Sequence, residues 1–201
     1  MKIWPQKRWK KVLFAFFAFF LAVVVVLAIV STYISSVVNK DVVSGIEVVN
    51  PSGSKTALVM YQAGLTSFPR DTSYAFANGL AASGWRVEIT TASSQAPSDL
   101  SKYGVLVLGF PTYGGSPGQV IVRYVDRLED LHGINTVIIA LGSYAPLKSA
   151  DIMTQKVQAE NGTVQKSLTL SSSITLLGMA PNQGIGSPAD IARQVGTQIR
   201  P

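Results

Sequence analysis

Nineteen consecutive residues, Val12 to Val30, are apolar without exception, and no charge appears after them until Lys40. At helical rise such a run covers about 28 Å, close to the ~30 Å hydrocarbon core of a bilayer. The spacing predicts a transmembrane helix over residues 12–34, bracketed by Trp4, Trp9 and Tyr33 as interfacial aromatics. A basic flank of residues 1–11 precedes it. A stalk over 35–54, ending in the loop signal Asn50-Pro51-Ser52-Gly53-Ser54, and a single domain over 55–201 follow it.

The net charge of +6 is misleading until it is located. Lys2, Lys7, Arg8, Lys10 and Lys11 all precede the apolar run, and the remaining twelve basic residues nearly balance eleven acidic ones. A nucleic-acid footprint needs basic residues clustered on a folded face, so nucleic acid is excluded as a partner class. Positive residues flanking an anchor stay on the cytoplasmic side. The expected localisation is therefore a cell membrane, single-pass, with the N-terminus cytoplasmic and the C-terminal domain on the outer side. The other reading is a signal peptide cut at a small-x-small site between Ser31 and Ser36. The apolar run is longer than the 7–15 residues or so of a signal-peptide core, which favours the anchor.

The chain has no cysteine and one histidine, His132. Disulfides, thiolate metal sites and cysteine nucleophiles are excluded, and one imidazole cannot build a His-rich metal site. No G-x-S-x-G elbow is present. Asp126, Glu129 and Asp130 read as the solvated face of a helix. No catalytic residue and no metal ligand is assigned.

From Lys55 onward, strand-like and helix-like runs alternate. Thr56–Tyr61, Gly104–Gly109 and Thr136–Leu141 are continuously apolar, as strands buried on both faces should be. Arg86–Thr90 and Val164–Leu170 carry polar residues, as edge strands do. Helices are expected over Asp71–Ser83, Gly118–Leu131 and from Ser149 to the Asn161-Gly162 stop. A last one is signalled by Ser187-Pro188-Ala189-Asp190, with Ser as cap, Pro at the first helical position and Asp at the positive end of the dipole. Five alternating strands imply a parallel sheet covered on both sides. Placing the apolar strands centrally gives the order 2-1-3-4-5, with a ligand crevice at the C-terminal ends of the first and third strands.

The loop after the third strand reads Phe110-Pro111-Thr112-Tyr113-Gly114-Gly115-Ser116-Pro117-Gly118. It resembles the P-x-Y-G-G segment of the flavodoxin-like family, which includes FMN-binding flavodoxins and NAD(P)H-quinone reductases. Leu141-Gly142-Ser143-Tyr144 after the fourth strand resembles the family more loosely. The resemblance implies a three-layer α/β sandwich in which these two loops hold opposite sides of a flavin ring. On that reading Pro111, Thr112, Tyr113, Gly114, Gly115, Gly142, Ser143 and Tyr144 are ring-binding residues. Gly114 and Gly115 admit close backbone approach and Tyr113 and Tyr144 are stacking partners. The other reading of Pro111–Gly115 is a tight turn whose tyrosines pack on the sheet.

The family cradles the FMN phosphate after the first strand with a hydroxyl-rich loop at a helix N-terminus. Here that loop is Gln62-Ala63-Gly64-Leu65-Thr66-Ser67, followed by Arg70, Thr72 and Ser73 as further donors. Gly64 and Thr66 match the pattern, while Ala63 stands where a hydroxyl is expected and Tyr61 replaces a Ser or Thr. The loop also reads as several residues longer than in the family, with Asp71 as the helix cap. Two functions remain open. One is a membrane-anchored FMN protein exchanging electrons with a redox partner protein or a quinone, with homodimerisation implied by the family. The other is a degenerate flavodoxin-fold binding or scaffold module without flavin.

Overall fold

The computed structural model describes residues 8–171 and 186–201. The chain divides into two compact units, one ending at Val38 and the other beginning at Asn39. The first is a single helix, α1 (Arg8–Val38). Its most apolar stretch has a mean hydropathy of 3.2 and none of it is buried, so by length and composition α1 is able to cross a membrane.

The second unit is built on a mostly parallel sheet of β1 (Glu47–Val49), β2 (Thr56–Tyr61), β3 (Arg86–Thr91), β4 (Tyr103–Tyr113), β5 (Ser116–Pro117), β6 (Asn135–Leu141) and β7 (Thr163–Leu170). The strand order is β1-β3-β2-β4-β6-β7, with β5 paired to β4. The five parallel strands β3-β2-β4-β6-β7 are in the expected order 2-1-3-4-5.

Helices cover both faces because side chains alternate along each strand. Leu58, Met60, Leu106, Leu108 and Ile138 point to one face and pack with α3 (Gln119–Leu128) and α4 (Pro146–Ala159). Ala57, Val59, Val105, Val107 and Ile139 point to the other and pack with α2 (Phe68–Ala82) and α5 (Pro188–Gln198). The α2–α5 crossing depends on two glycines: a Cβ on Gly196 would lie 2.5 Å from the Phe76 carbonyl oxygen, and one on Gly79 2.2 Å from that of Arg193.

The sheet has two more strands than the five expected. β1 is an antiparallel edge strand pairing Glu47 with Ile89 and Val49 with Val87. It comes from residues read as stalk, and three residues are too few for a periodicity to be seen. β3 is therefore an inner strand. Its polar Glu88 is buried and satisfied by Tyr103 Oη at 2.6 Å and Lys102 Nζ at 2.9 Å. Burial pushes the Glu88 carboxyl up, but those two hydrogen bonds and the nearby Lys102 and Arg86 charges outweigh it and hold it below its ordinary value.

Helix starts also differ. α2 begins at Phe68 with Ser67 as cap and Pro69 in the first turn, so the preceding loop is shorter than expected and Asp71 lies inside the helix. α4 begins at Pro146, not Ser149. In both, a proline in the first turn marks the start. α3 stops at Leu128, where Glu129 turns to a φ of 57°. α5 has the expected capping box, with Ser187 Oγ accepting from Asp190 N and the Asp190 carboxylate accepting from Ser187 N, both at 3.2 Å.

Candidate functional site

Three loops meet at the C-terminal ends of β2, β4 and β6: residues 62–67, 111–118 and 142–145. The middle one is the most sharply defined. β4 and β5 form a hairpin in which Thr112 faces Pro117 and Tyr113 faces Ser116, leaving Gly114 and Gly115 as a two-residue turn. Their φ values are +59° and +79°, the left-handed pair that a twist-matched hairpin turn requires. The two glycines are thus needed by the hairpin itself. Pro111, which has no N–H to donate, accepts from Gly118 N at 3.0 Å and closes the hairpin base.

The hairpin leans on the loop after β6. A Cβ on Gly142 would lie 3.0 Å from Thr112 Cβ, and one on Gly115 3.4 Å from Ala145 Cβ. On its other side Tyr113 reaches the loop after β2, its hydroxyl 3.6 Å from where a Gly64 Cβ would stand. Gly64, Thr112, Tyr113 and Gly142 are therefore brought together. Ala145 adopts φ +47°, an uncommon conformation for a non-glycine residue, just before Pro146 starts α4.

Polar groups in this region are under-satisfied. Among the described residues, Thr72 Oγ1, Ser73 Oγ, Thr112 Oγ1 and Ser149 Oγ are buried without a hydrogen-bond partner. Burial pushes the Tyr113 hydroxyl above its ordinary pKa, and a hydrogen bond with the Leu65 backbone opposes only part of that. Buried hydroxyls are normally paired, and an unpaired one costs about 1–3 kcal/mol. Thr112 and Tyr113 come from the hairpin and Thr72 from the first turns of α2.

The phosphate side departs from expectation. Gln62 is buried, and its Oε1 accepts from Ile121 N at 3.0 Å. It caps the start of α3, where Gly118 has no side chain to do so. Thr66 Oγ1 accepts from Phe68 N at 3.4 Å, while Leu65, Thr66 and Ser67 are exposed and Ala63 is half-buried. Pro69 removes one donor from the α2 N-terminus. Arg70 is exposed, with Nε 3.3 Å from the Asp71 carboxylate. It lines a cleft of about 500 Å³ with Glu47, Asp71 and Tyr74, so two carboxylates surround the expected phosphate-binding cation.

The mouth of the site is apolar and open. Tyr144 is 74 % exposed, and Leu65 and Leu147 are exposed too; Ser143 is exposed beside Tyr144. Ala145 and Ser149 belong to this region but were not legible beforehand, whereas Ser73 was an expected hydroxyl donor. Ser73 lies one residue beyond Thr72, with its Oγ 2.5 Å from a Gly109 Cβ position. Only the proline at each helix start could have signalled how near these residues come.

A larger cleft of about 550 Å³ lies at the opposite, N-terminal end of the strands, lined by Asp99, Tyr103, Asp130, His132 and Asn135. His132 is exposed, and its N–H and ring are tied to Asp130. No group of three metal-ligating side chains occurs among the described residues.

No family model and no curated protein matches the sequence. Solved structures do match. A flavodoxin from the domain Archaea is 12% identical, covering 71% of this chain and 94% of its own, with a TM-score of 0.54. The two-electron reduced flavodoxin of Megasphaera elsdenii is 16% identical, covering 71% and 99%, with a TM-score of 0.55. Oxidised flavodoxin 2 from Bacillus cereus is 16% identical, covering 70% and 94%, with a TM-score of 0.56. At these identities the likeness carries the architecture, and the domain has the flavodoxin-like α/β fold.

Proposed function

We propose that the domain binds FMN non-covalently in the crevice between residues 62–67, 111–118 and 142–145, and exchanges electrons with a redox protein or a quinone beside a membrane. The observation that carries this reading is the meeting of the Thr112–Tyr113 hairpin with the loops after β2 and β6, with the buried hydroxyls of Thr112 and of Thr72 in α2 left without partners. A ligand with polar edges would satisfy them. The fold neighbours that are named flavodoxins support the same reading.

Thr112, Tyr113 and the amides of Gly114 and Gly115 would hold the polar edge of the ring, and exposed Tyr144 would close over its face. Thr66, Ser67 and Thr72 with the α2 N-terminus would hold the phosphate. Bound FMN supplies the redox chemistry, so no protein acid or base is required. In the same reading α1 is a membrane anchor with its basic N-terminal flank on the cytoplasmic side, which leaves the domain on the outer side.

A second reading, a flavin-free binding module, is favoured by one feature: Tyr113 leans across to Gly64 and Gln62 is committed to capping α3. Titrating FMN and riboflavin with the full-length chain in detergent separates the two. The FMN reading predicts quenched flavin fluorescence, tighter for FMN than for riboflavin, and weaker in Thr112→Val and Tyr113→Phe. Flavin that stays fully fluorescent contradicts it and leaves the binding module.

A further inference from the structure

The segment leaving α1 is pinned to the domain along its length. Asn39 O accepts from Arg123 Nη2 at 3.1 Å, and Asp41 Oδ2 accepts from Ser94 N at 3.0 Å. Val42 O accepts from the Thr91 hydroxyl. Ser44 and Thr91 exchange two bonds, Ser44 N to Thr91 Oγ1 and Thr91 N to Ser44 Oγ, both at 3.0 Å. A segment held this firmly is a surface of the domain rather than a loose tether.

That surface presents a set of aliphatic side chains, beside the exposed carboxylates of Asp41 and Glu47. Val42, Val43, Ile46 and Val48 are 44 %, 49 %, 48 % and 40 % exposed, four β-branched aliphatic side chains within seven residues. Hydrogen bonding fixes the backbone around them without covering them. Exposed apolar side chains scattered singly need no explanation, but a contiguous set marks an interaction surface. The exposed Arg123, bonded to Asn39 O, stands at its start, while the Arg127 guanidinium is held by the Ser93 and Ala96 carbonyls. Arg123 and Arg127 line a small pocket of about 200 Å³ with Asp41, Ser93 and Ser94.

We infer that this edge of the domain, Val42–Val48 with Arg123, rests on the lipid bilayer. The inference relies on the reading of α1 as an anchor. Val42 follows the last residue of α1 by four positions, so chain length alone keeps it within about 14 Å of the helix end. Aliphatic side chains gain by entering the interface, and arginines reach headgroup phosphates from its rim. The surface thus has the apolar row and the bordering arginine that a phospholipid interface recognises, and it is tethered where such an interface would be. It would hold the crevice in a fixed orientation to the membrane, as exchange with a lipid-dissolved quinone requires.

The absence of cysteine makes the test clean. Single variants Val25→Cys, Val43→Cys, Ile46→Cys and Lys166→Cys of the full-length chain are labelled with a thiol-reactive fluorophore. Each is reconstituted in phospholipid vesicles with plain or brominated acyl chains. The inference predicts that labels at 43 and 46 lose fluorescence in brominated lipid, as at 25 in α1. The label at 166, on the opposite edge strand β7, does not. In vesicles containing anionic lipid, adding Arg123→Glu to Val43→Cys reduces that loss.

If only the label at 25 is quenched, the anchor stands and the inference fails. If 43 and 46 are unquenched yet shielded from aqueous iodide, a protein covers the edge and the inference also fails. If 25 itself is unquenched, the anchor reading falls and this inference with it.

Discussion

Replacing Gln62 with Ala separates a structural role from a ligand-binding one. Gln62 is 1 % exposed, and its Oε1 holds Ile121 N at 3.0 Å inside the protein. A Cβ on Gly118 would lie 2.2 Å from Oε1, so the amide fits tightly against the α3 start. Truncation leaves a buried N–H unpaired, about 1–3 kcal/mol, removes a helix cap, about 1 kcal/mol, and opens a small cavity. These effects overlap, and about 3 kcal/mol is expected in all. For a domain of this size that lowers Tm by roughly 6–12 °C. Thermal unfolding of the full chain in detergent, followed by far-UV circular dichroism at several scan rates, measures it. A Tm within a degree or so of the parent, combined with weakened flavin binding, would refute the capping argument and return Gln62 to the ligand.

Substitutions at three other positions have defined expectations. Gly196→Ala forces a methyl to 2.5 Å from the Phe76 carbonyl oxygen and should destabilise by about 3 kcal/mol, read from denaturant unfolding. Gly114 has open space around its Cβ position, so Gly114→Ala should cost only the left-handed backbone, about 1 kcal/mol, and Gly114→Asn less. Glu88→Gln loses charge-assisted bonds to Tyr103 and Lys102, about 2 kcal/mol at pH 7. Because the folded carboxyl lies below its ordinary value, that stabilisation is present above the ordinary carboxylate range and disappears as pH falls through the folded value. Urea midpoints of Glu88→Gln and the parent chain should therefore converge as pH falls below the ordinary carboxylate range.

The architecture was legible because burial on both faces writes itself as continuous apolar runs. Thr56–Tyr61, Gly104–Gly109 and Thr136–Leu141 lie in the central strands β2, β4 and β6, and placing them centrally gives the order of the five parallel strands. β1 was not legible, since its three residues are held by pairing with β3 and by the Ser44–Thr91 bonds, which no local pattern reveals. The hairpin was readable as Tyr113-Gly114-Gly115-Ser116, but one sequence signal answers to two demands, the left-handed turn and close ligand approach. The residues around the β2 loop carry a similar double demand. A glutamine in a loop looks like a ligand donor, and only the fold shows the α3 start waiting for it. Arg70 likewise looks like a phosphate clamp until Glu47, from a strand distant in sequence, joins Asp71 beside it.

The most direct test of the flavin reading is the absorption spectrum of the purified full-length chain before and after incubation with FMN and removal of free flavin. The account predicts retained flavin with bands near ~370 and ~450 nm, at about one flavin per chain. A spectrum with no absorbance beyond the aromatic region after both steps would contradict it.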